Sequence, residues 1–474
     1  MLMKISIPKI VVSLFAVLLS LSVEAQNDSI EYEASAQMLL SKAGNTPFWI
    51  VSNNAGYYLT NSNMAIVGFG VTKKLSHPDK LFDYSFGLNG VALAEKNGVV
   101  ASLREYYVNT RIWVFDLNLG QQIEHYGNQD ETLSSGGYLF SANYAPIPKV
   151  FVGIKEFTPI LFKNNFLEIK GGLSHGWFTD DVFVKNMLYH HKYAYARIGG
   201  NKSPVRFQYG FDHVAQWGGE IPGHGVQPTG IKDFINVFFL RSGNSTVAEE
   251  QINVGGNHII AQSARLDATV AGFELAAYWQ LLNEDKPVLP FWSAVNRYDG
   301  LWGLSVRNKQ FPVIKGLLYE FLNTTDQNGP LHDKDGIVYG GADNYFNNYL
   351  YQSGWTHYGY TIGNPFITSP VFNKNAEISI LNNRVQVHHF GLEGSIDGYN
   401  FKILNSYSKN YGTYGTPFSK TEKSAHLLVD VNKHFEKLWG LNIGLSVGAD
   451  WSGYYGNNIG LLLKIKKQGL LLKY

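Results

Sequence analysis

The chain of 474 residues contains no cysteine. Disulfides, thiolate metal sites and lipid attachment through an N-terminal cysteine are thereby excluded. Charge is scarce as well, at 16% of residues, and nearly balanced, with 39 basic and 38 acidic side chains. That balance makes no electrostatic case for nucleic acid, whose binders are usually basic. After residue 25 there is no apolar run of about 18 residues, so no membrane-spanning helix is expected. No Pro-rich, Ser-rich or charged spacer divides the chain, although its length would ordinarily suggest about three soluble domains. No P-loop, dinucleotide fingerprint or zinc-protease helix occurs.

What is present begins with an export signal over residues 1–25. Lys4 and Lys9 precede the apolar run Ile10–Val23, and Val23-Glu24-Ala25 forms a small-x-small cleavage site. The run is too short and wrongly flanked for an anchor. Aromatics reach 14% and there are 49 glycines. From about residue 65 onward, apolar and polar residues alternate with period two. Tyr106, Val108, Ile112 and Val114 oppose Glu105, Asn109 and Arg111. Val205, Phe207, Tyr209 and Phe211 oppose Arg206, Gln208 and Asp212, and Leu266, Ala268 and Val270 oppose Arg265, Asp267 and Thr269. Leu441, Ile443, Leu445, Val447, Ala449 and Trp451 alternate with Asn442, Gly444, Ser446, Gly448 and Asp450.

Each such segment is a strand with one apolar face and one polar or glycine face. Segments near ten residues, with aromatics towards their ends, have the pattern of a transmembrane β-barrel, apolar to lipid and polar to the lumen. Closure pairs every backbone group, as a bilayer requires. The expected fold is all-β: an antiparallel barrel of about 16–18 strands with short plug helices and long surface loops, forming one domain over residues 26–474. The last segment ends on the aromatic Tyr474, as a closing strand would. Two segments depart from the alternation. Tyr32–Lys42 holds good helix formers and stops before Gly44, and Thr179–Lys192 begins with cap candidates; both are expected to be helices.

The candidates for chemistry are few. Gly172-Leu173-Ser174-His175-Gly176 matches G-x-S-x-G, which carries a nucleophile only on a strand-to-helix elbow. Here it follows a strand, and catalysis is not expected. The pairs His190–His191 and His388–His389 would point to opposite faces of a strand, which argues against metal. The run from His332 to Gly336 lacks a downstream glutamate at calcium-loop spacing. No cofactor and no metal is expected.

The most unusual stretch is Tyr319–Pro365. Leu317, Tyr319 and Phe321 share one strand face and Leu318 and Glu320 the other; the alternation then dissolves into Asn, Gly, Asp, Tyr and Trp. Long loops without elements of their own are usually functional or disordered, and this aromatic content argues against disorder. Two readings stay open: a loop packed on itself as a lid or plug, or a surface for a polyol ligand. In the second, rings cover sugar C–H faces while amides and carboxylates take the hydroxyls.

Several stretches together resemble the capsule assembly protein Wzi family of Gram-negative outer membranes. They are Pro47-Phe48-Trp49 with Ser52-Asn53 and Gly56, Leu188–Gly199, Asp212–Pro222, Gly256-Asn257-His258, Arg297–Gly303, and the run Asn347–Pro365. The match runs in order through nearly the whole mature chain. The resemblance implies a barrel of about eighteen strands, occluded by loops and helices, acting as a surface lectin that helps attach exported capsular polysaccharide. Tyr32–Lys42 and Thr179–Lys192 would be the occluding helices. Composition and resemblance together name a polysaccharide site: Trp355 and Tyr358 for ring faces, Asn344, Asn348 and Gln352 for hydrogen bonds. The expected protein is a monomeric, non-enzymatic barrel of the cell outer membrane, with membrane lipid and capsular or other extracellular polysaccharide as partners and no nucleic acid. The alternatives are a sugar-selective or general porin, and an outer-membrane esterase using Ser174.

Overall fold

The computed structural model describes residues 29–42, 45–61, 63–76, 80–161, 165–200, 203–243, 245–247, 254–284, 296, 298–331 and 341–473. The signal segment and the His332–Gly336 run lie outside them. Among the described residues, eighteen antiparallel strands form one sheet. In chain order they are β1 (Ser29–Ser41), β2 (Met64–Lys73), β3 (Phe82–Glu95), β4 (Gly98–Ile112), β5 (Phe115–Gln121) and β6 (Lys149–Leu161). Next come β7 (Leu167–Trp177), β8 (Leu188–Ile198), β9 (Val205–Trp217), β10 (Asn257–Val270), β11 (Phe273–Glu284) and β12 (Gly300–Arg307). The last six are β13 (Ile314–Asn323), β14 (Val385–Ile396), β15 (Tyr399–Gly412), β16 (Pro417–Phe435), β17 (Leu441–Ser452) and β18 (Asn458–Lys473). Each strand pairs with its sequence neighbours. The ring closes where β1 pairs with β18, from Ser29 opposite Lys473 to Ser41 opposite Gly460. Closure leaves no edge strand.

The alternation read from the sequence sets the facing. Leu445 is 44% exposed on the outside of β17, whereas its neighbour Ser446 is 2% exposed in the lumen. Val205, Phe207, Leu266 and Leu317 are likewise exposed outward, while Gln208, Asp212 and Glu320 are buried inward. Ser29, Lys473 and the turns at 113–114, 271–272 and 397–398 lie at one end. The connections 42–63, 122–148, 218–256 and 324–384 all lie at the other. Short turns at one end and long loops at the other is the outer-membrane pattern.

The two expected helices are not helices. Tyr32–Lys42 lies almost wholly in β1, paired with β2 and β18. Its helix formers are overridden by a period-two pattern: Met38 and Leu40 stand exposed outside, and Glu31, Glu33, Ser35 and Gln37 occupy the opposite positions. Thr179–Lys192 is a turn-rich connection that runs into β8, not a plug helix. Among the described residues the α-helices are α1 (Phe48–Val51), a single buried turn, and α2 (Ile231–Phe238), with a 3-10 turn at Pro370–Phe372.

A water-filled barrel has its apolar surface outside only. This one has a second apolar core inside the lumen. Phe48, Trp49, Ile50, Val51, Tyr138, Leu139, Phe140, Tyr345, Phe346, Trp355, Ile362 and Phe366 are buried in one cluster contributed by three long loops. Inward-facing glycines make room for it. Gly448 and Gly460 pair across β17 and β18, and a Cβ on either would come within 2.8 Å of Pro47.

Candidate functional site: a plugged lumen and a cleft at its mouth

The plug is held by the polar residues that face inward from the wall. Glu320, at a strand position opposite Leu317 and Tyr319, accepts hydrogen bonds from the Ser135 N–H at 2.7 Å and from the Ser134 and Tyr278 hydroxyls at 2.6 Å. Gln280 accepts from the Tyr138 N–H at 2.6 Å, and Gln216 donates to the Gly354 carbonyl at 2.8 Å. Asp450 accepts the Phe48 N–H at 2.9 Å, and His389 donates to the Leu133 carbonyl at 2.8 Å. A strand alone would leave these groups to water. Here they satisfy plug backbone that is buried and would otherwise be unpaired.

Within the plug two segments zip together. Ser141 N–H donates to Ile362 O at 2.8 Å, Ile362 N–H to Trp355 O at 3.0 Å, and Asn364 N–H to Tyr138 O at 3.1 Å. Trp355 sits at the join with no exposed surface. Its Nε1–H donates to Leu139 O at 3.1 Å, and its ring stacks on Tyr189 and meets Phe140 and Phe178 edge-on. The tip of this segment is a hairpin in which Thr356-His357 pairs with Tyr360-Thr361. Its two-residue turn, Tyr358-Gly359, has φ of 53° and 74°, the left-handed pair typical of tight hairpins. A Cβ at Gly359 would also lie 2.9 Å from Val371.

The hairpin places Tyr358 in a cleft of about 660 Å³ at the long-loop end, shared with Asn61, Glu95, Arg104, Asp180 and Tyr360. Asp180 accepts the Tyr358 N–H at 2.7 Å, and the Tyr358 hydroxyl donates to Thr179 O at 3.0 Å. Burial pushes the Tyr360 phenol up to about 12, with Arg104 pulling the other way, and holds Tyr358 above its ordinary value. Both phenols are therefore neutral at physiological pH. The His357 imidazole, buried behind them, is held below its usual value by desolvation, and its Nδ1 lies 2.6 Å from Ala145 O.

Arg104 is the residue that alternation misses. By strict period two from Tyr106 and Val108 it belongs on the outer face. The β3–β4 ladder slips there: Asn89 opposes Glu105, whereas the next residue, Gly90, opposes Leu103. Arg104 is the extra residue of a bulge, a device that re-aims side chains, and it turns inward beside Glu105. Its guanidinium lies 4.9 Å from the Tyr57 ring centroid, and its Nε is buried without a hydrogen-bond partner.

Of the five residues expected at a polysaccharide site, the structure brings only Tyr358 to this cleft. Asn344 and Gln352 are exposed elsewhere on the same loop, and Asn348 is half-buried. Asn344 Oδ1 accepts from Asn383 at 2.6 Å, Asn348 Oδ1 accepts the Leu350 and Tyr351 N–H groups, and Gln352 donates to Tyr349 O. Trp355, enclosed as described, has no ring face turned to solvent.

On the short-turn side of the plug is a vestibule of about 760 Å³ lined by Glu33, Lys170, Lys402, Asp430, Lys464 and Lys466 among others. Ser174 is buried inside β7 opposite His191. Its G-x-S-x-G run is extended strand throughout, so the elbow that would expose a nucleophile is not formed. The histidine pairs split as expected: His191 meets Asp212 at 2.9 Å in the lumen while His190 faces out, and His389 faces in while His388 meets the Tyr319 hydroxyl outside.

No family model and no curated relative matches this sequence. Solved structures do. The chain is similar to Wzi of Escherichia coli, described as an outer membrane protein involved in group 1 capsule assembly and a carbohydrate-binding β-barrel. The TM-score is 0.59 at 12% identity, over 96% of this chain and 87% of that one. It is also similar to OccK5 (OpdH) of Pseudomonas aeruginosa, with a TM-score of 0.50 at 8% identity, over 94% of this chain and 99% of the other. At such identities the likeness is one of fold: this chain is an eighteen-stranded barrel of the outer-membrane type.

Proposed function

We propose that this protein is an outer-membrane lectin: a barrel closed by its own loops that binds exported polysaccharide at the mouth cleft and helps hold it at the cell surface. The observation that carries the reading is the pairing of a lumen plugged by an aromatic core with an open cleft in which the Arg104 guanidinium lies on the Tyr57 ring, its Nε without a hydrogen-bond partner, beside neutral phenols. Arg104 would donate to sugar oxygens, Asp180 and Glu95 would accept from hydroxyls, and the Tyr358 ring would cover a C–H face. Asn344, Asn348 and Gln352 extend the polar surface of the same loop, and Trp355 serves from beneath by fixing the hairpin that carries Tyr358. The long-loop end faces outward from the cell in this reading, as outer-membrane barrels place their longer loops. The non-enzymatic character expected from the sequence belongs to the same proposal, as does a monomer embedded in lipid.

The likeness of the fold to Escherichia coli Wzi is consistent with this reading. The test is cellular. Cells lacking the protein should shed polysaccharide into the medium, the parent gene should restore retention, and Arg104→Gln, present at the same surface level, should not. Full restoration by Arg104→Gln and Tyr358→Ala alike would remove the cleft from the account. A sugar-selective or general porin is the second reading, favoured by the roomy, charged vestibule. It predicts steady ion conductance in planar bilayers, which the plugged barrel does not.

A further inference from the structure

The outer wall is not apolar everywhere. Around β7–β10, near the long-loop rim, the outward positions carry His175, His190, Lys192, His213 and His258. These positions alternate with the inward-facing Ser174, His191 and Asp212. His213 Nε2 and His258 Nδ1 are 2.8 Å apart, and both ring nitrogens of the buried His190 are without hydrogen-bond partners. Lower on the same strands the outward residues become Ala194, Ala196, Ile198, Val205 and Phe207, all exposed. Charged or strongly polar side chains on a lipid face are destabilising in a depth-dependent way. A bare wall of this composition would suit water or a cover, not hydrocarbon.

The cover is α2. Its Asp233 accepts the Gly230 N–H at 2.9 Å and so fixes the helix start. One face packs onto the wall: Val237 is buried with Leu188, Ala215 and Trp217, and the Phe234 ring meets His175, His190 and Trp217. Lys192 reaches up from the wall to the Phe238 carbonyl and lies 4.0 Å from the Phe238 ring centroid, capping the helix C-terminus. The opposite face is an apolar stripe at helical spacing. Ile231 is 82% exposed, Ile235 43% and Phe239 56%. At the ends of the helix Lys232 and Arg241 are exposed, the latter with its guanidinium 5.1 Å from the Phe239 ring centroid.

We propose that α2 is an interfacial helix that lies in the leaflet nearest the long-loop mouth and presents Ile231, Ile235 and Phe239 to lipid acyl chains. It replaces a histidine-bearing patch of wall with an apolar one, so that the outward apolar band continues upward across β7–β10. The occupant is lipid because the stripe is continuous with that band. An apolar stripe with cationic ends suits a helix whose apolar face is buried about 5–10 Å into the headgroup boundary.

The absence of cysteine from the whole chain makes the test clean. Single substitutions Ile231→Cys, Ile235→Cys and Phe239→Cys, each checked for heat-modifiable folded barrel, would carry a nitroxide label in phosphatidylethanolamine–phosphatidylglycerol vesicles. Leu445→Cys on the barrel wall and Gln352→Cys on the exposed loop serve as references. Power saturation then compares collisions with oxygen, which concentrates among acyl chains, and with a water-soluble nickel chelate. The expected oxygen-to-nickel ratio at positions 235 and 239 clearly exceeds that at 352 and stays below that at 445, as a site at acyl-chain level near the headgroups requires. A ratio like that at 352 would place the helix in water and overturn the proposal. Exclusion of both reagents would mean that protein, such as a second copy of the chain, covers the stripe, and would overturn it equally.

Discussion

Replacing Trp355 by alanine separates a ring that anchors the plug from a ring that touches the ligand. The side chain is wholly buried, packed on Tyr189, Phe140 and Phe178, with its Nε1–H on Leu139 O at 3.1 Å. Truncating a buried Trp typically costs about 3–5 kcal/mol through lost contacts and the cavity left behind. The Leu139 carbonyl, left unpaired in a dry core, belongs to the same loss. Because the residue holds two segments to each other and not the barrel ladder, the loss falls on plug opening. A cost of about 3 kcal/mol corresponds to roughly a hundredfold change in an equilibrium constant. Amide exchange at Ser141, Ile362 and Asn364, whose N–H groups form the zipper, should accelerate by about that factor. Exchange in the barrel strands should hold, and bilayer recordings should show leak current that the parent lacks. Polysaccharide binding should fall in step with the fraction of open plug. Unchanged exchange together with a sharp loss of binding would refute the anchor role and make Trp355 a ligand contact after all.

Leu445→Arg should destabilise the folded barrel by about 2–4 kcal/mol if that position lies near mid-bilayer. Ser446→Arg, whose side chain enters the vestibule beside Asp430, should cost less; equal urea sensitivity in lipid would undo the facing. Burial pushes the Asp299 carboxyl up to about 7, against the pull of the Gln327 and Asp326 N–H groups. An ordinary aspartate titrates near 3.9, so the folded state holds this proton more tightly. The stability linked to it is full below about pH 4 and is lost as pH rises through 7. Loop protection from protease should therefore weaken between pH 5 and 8, and Asp299→Asn should flatten that slope; an unaltered slope would contradict the assignment. Ser174→Ala should leave retained polysaccharide and ester cleavage as in the parent, and loss of an esterase activity in folded protein would reinstate a hydrolase.

The barrel was legible because a strand between lipid and lumen needs two unlike faces, and β17 displays them residue by residue. Misreadings arose where a local signal and the two-face rule diverged. Ala34, Ala36, Gln37, Met38 and Leu39 favour helix in isolation, yet β1 is required to close the ring between β2 and β18. In β8 the outward residues Leu188, His190 and Lys192 hid the alternation, because their outer surface is covered by α2 and need not be apolar. Arg104 was lost to a one-residue bulge, which no periodicity reveals. The plug was half legible. The sequence offered either packing or ligand binding for Tyr319–Pro365, and the structure divides the stretch, with Trp355 inside and Tyr358 at the cleft. The connections that complete the plug, 42–63 and 122–148, come from distant parts of the chain, so their meeting with 355–364 is a property of the closed barrel alone.

The central claim is that a closed barrel binds polysaccharide through its mouth cleft, and a binding isotherm tests it most directly. Purified parent and Arg104→Gln, both heat-modifiable, would be titrated with the exopolysaccharide of the producing cell. Losing a charge-assisted hydrogen bond costs about 1.5–3 kcal/mol, or roughly ten- to hundredfold in affinity. Saturable binding by the parent, weakened by that factor in Arg104→Gln with the barrel's unfolding unchanged, is the predicted result. No saturable binding by the folded parent, or equal affinity in the two proteins, would contradict it.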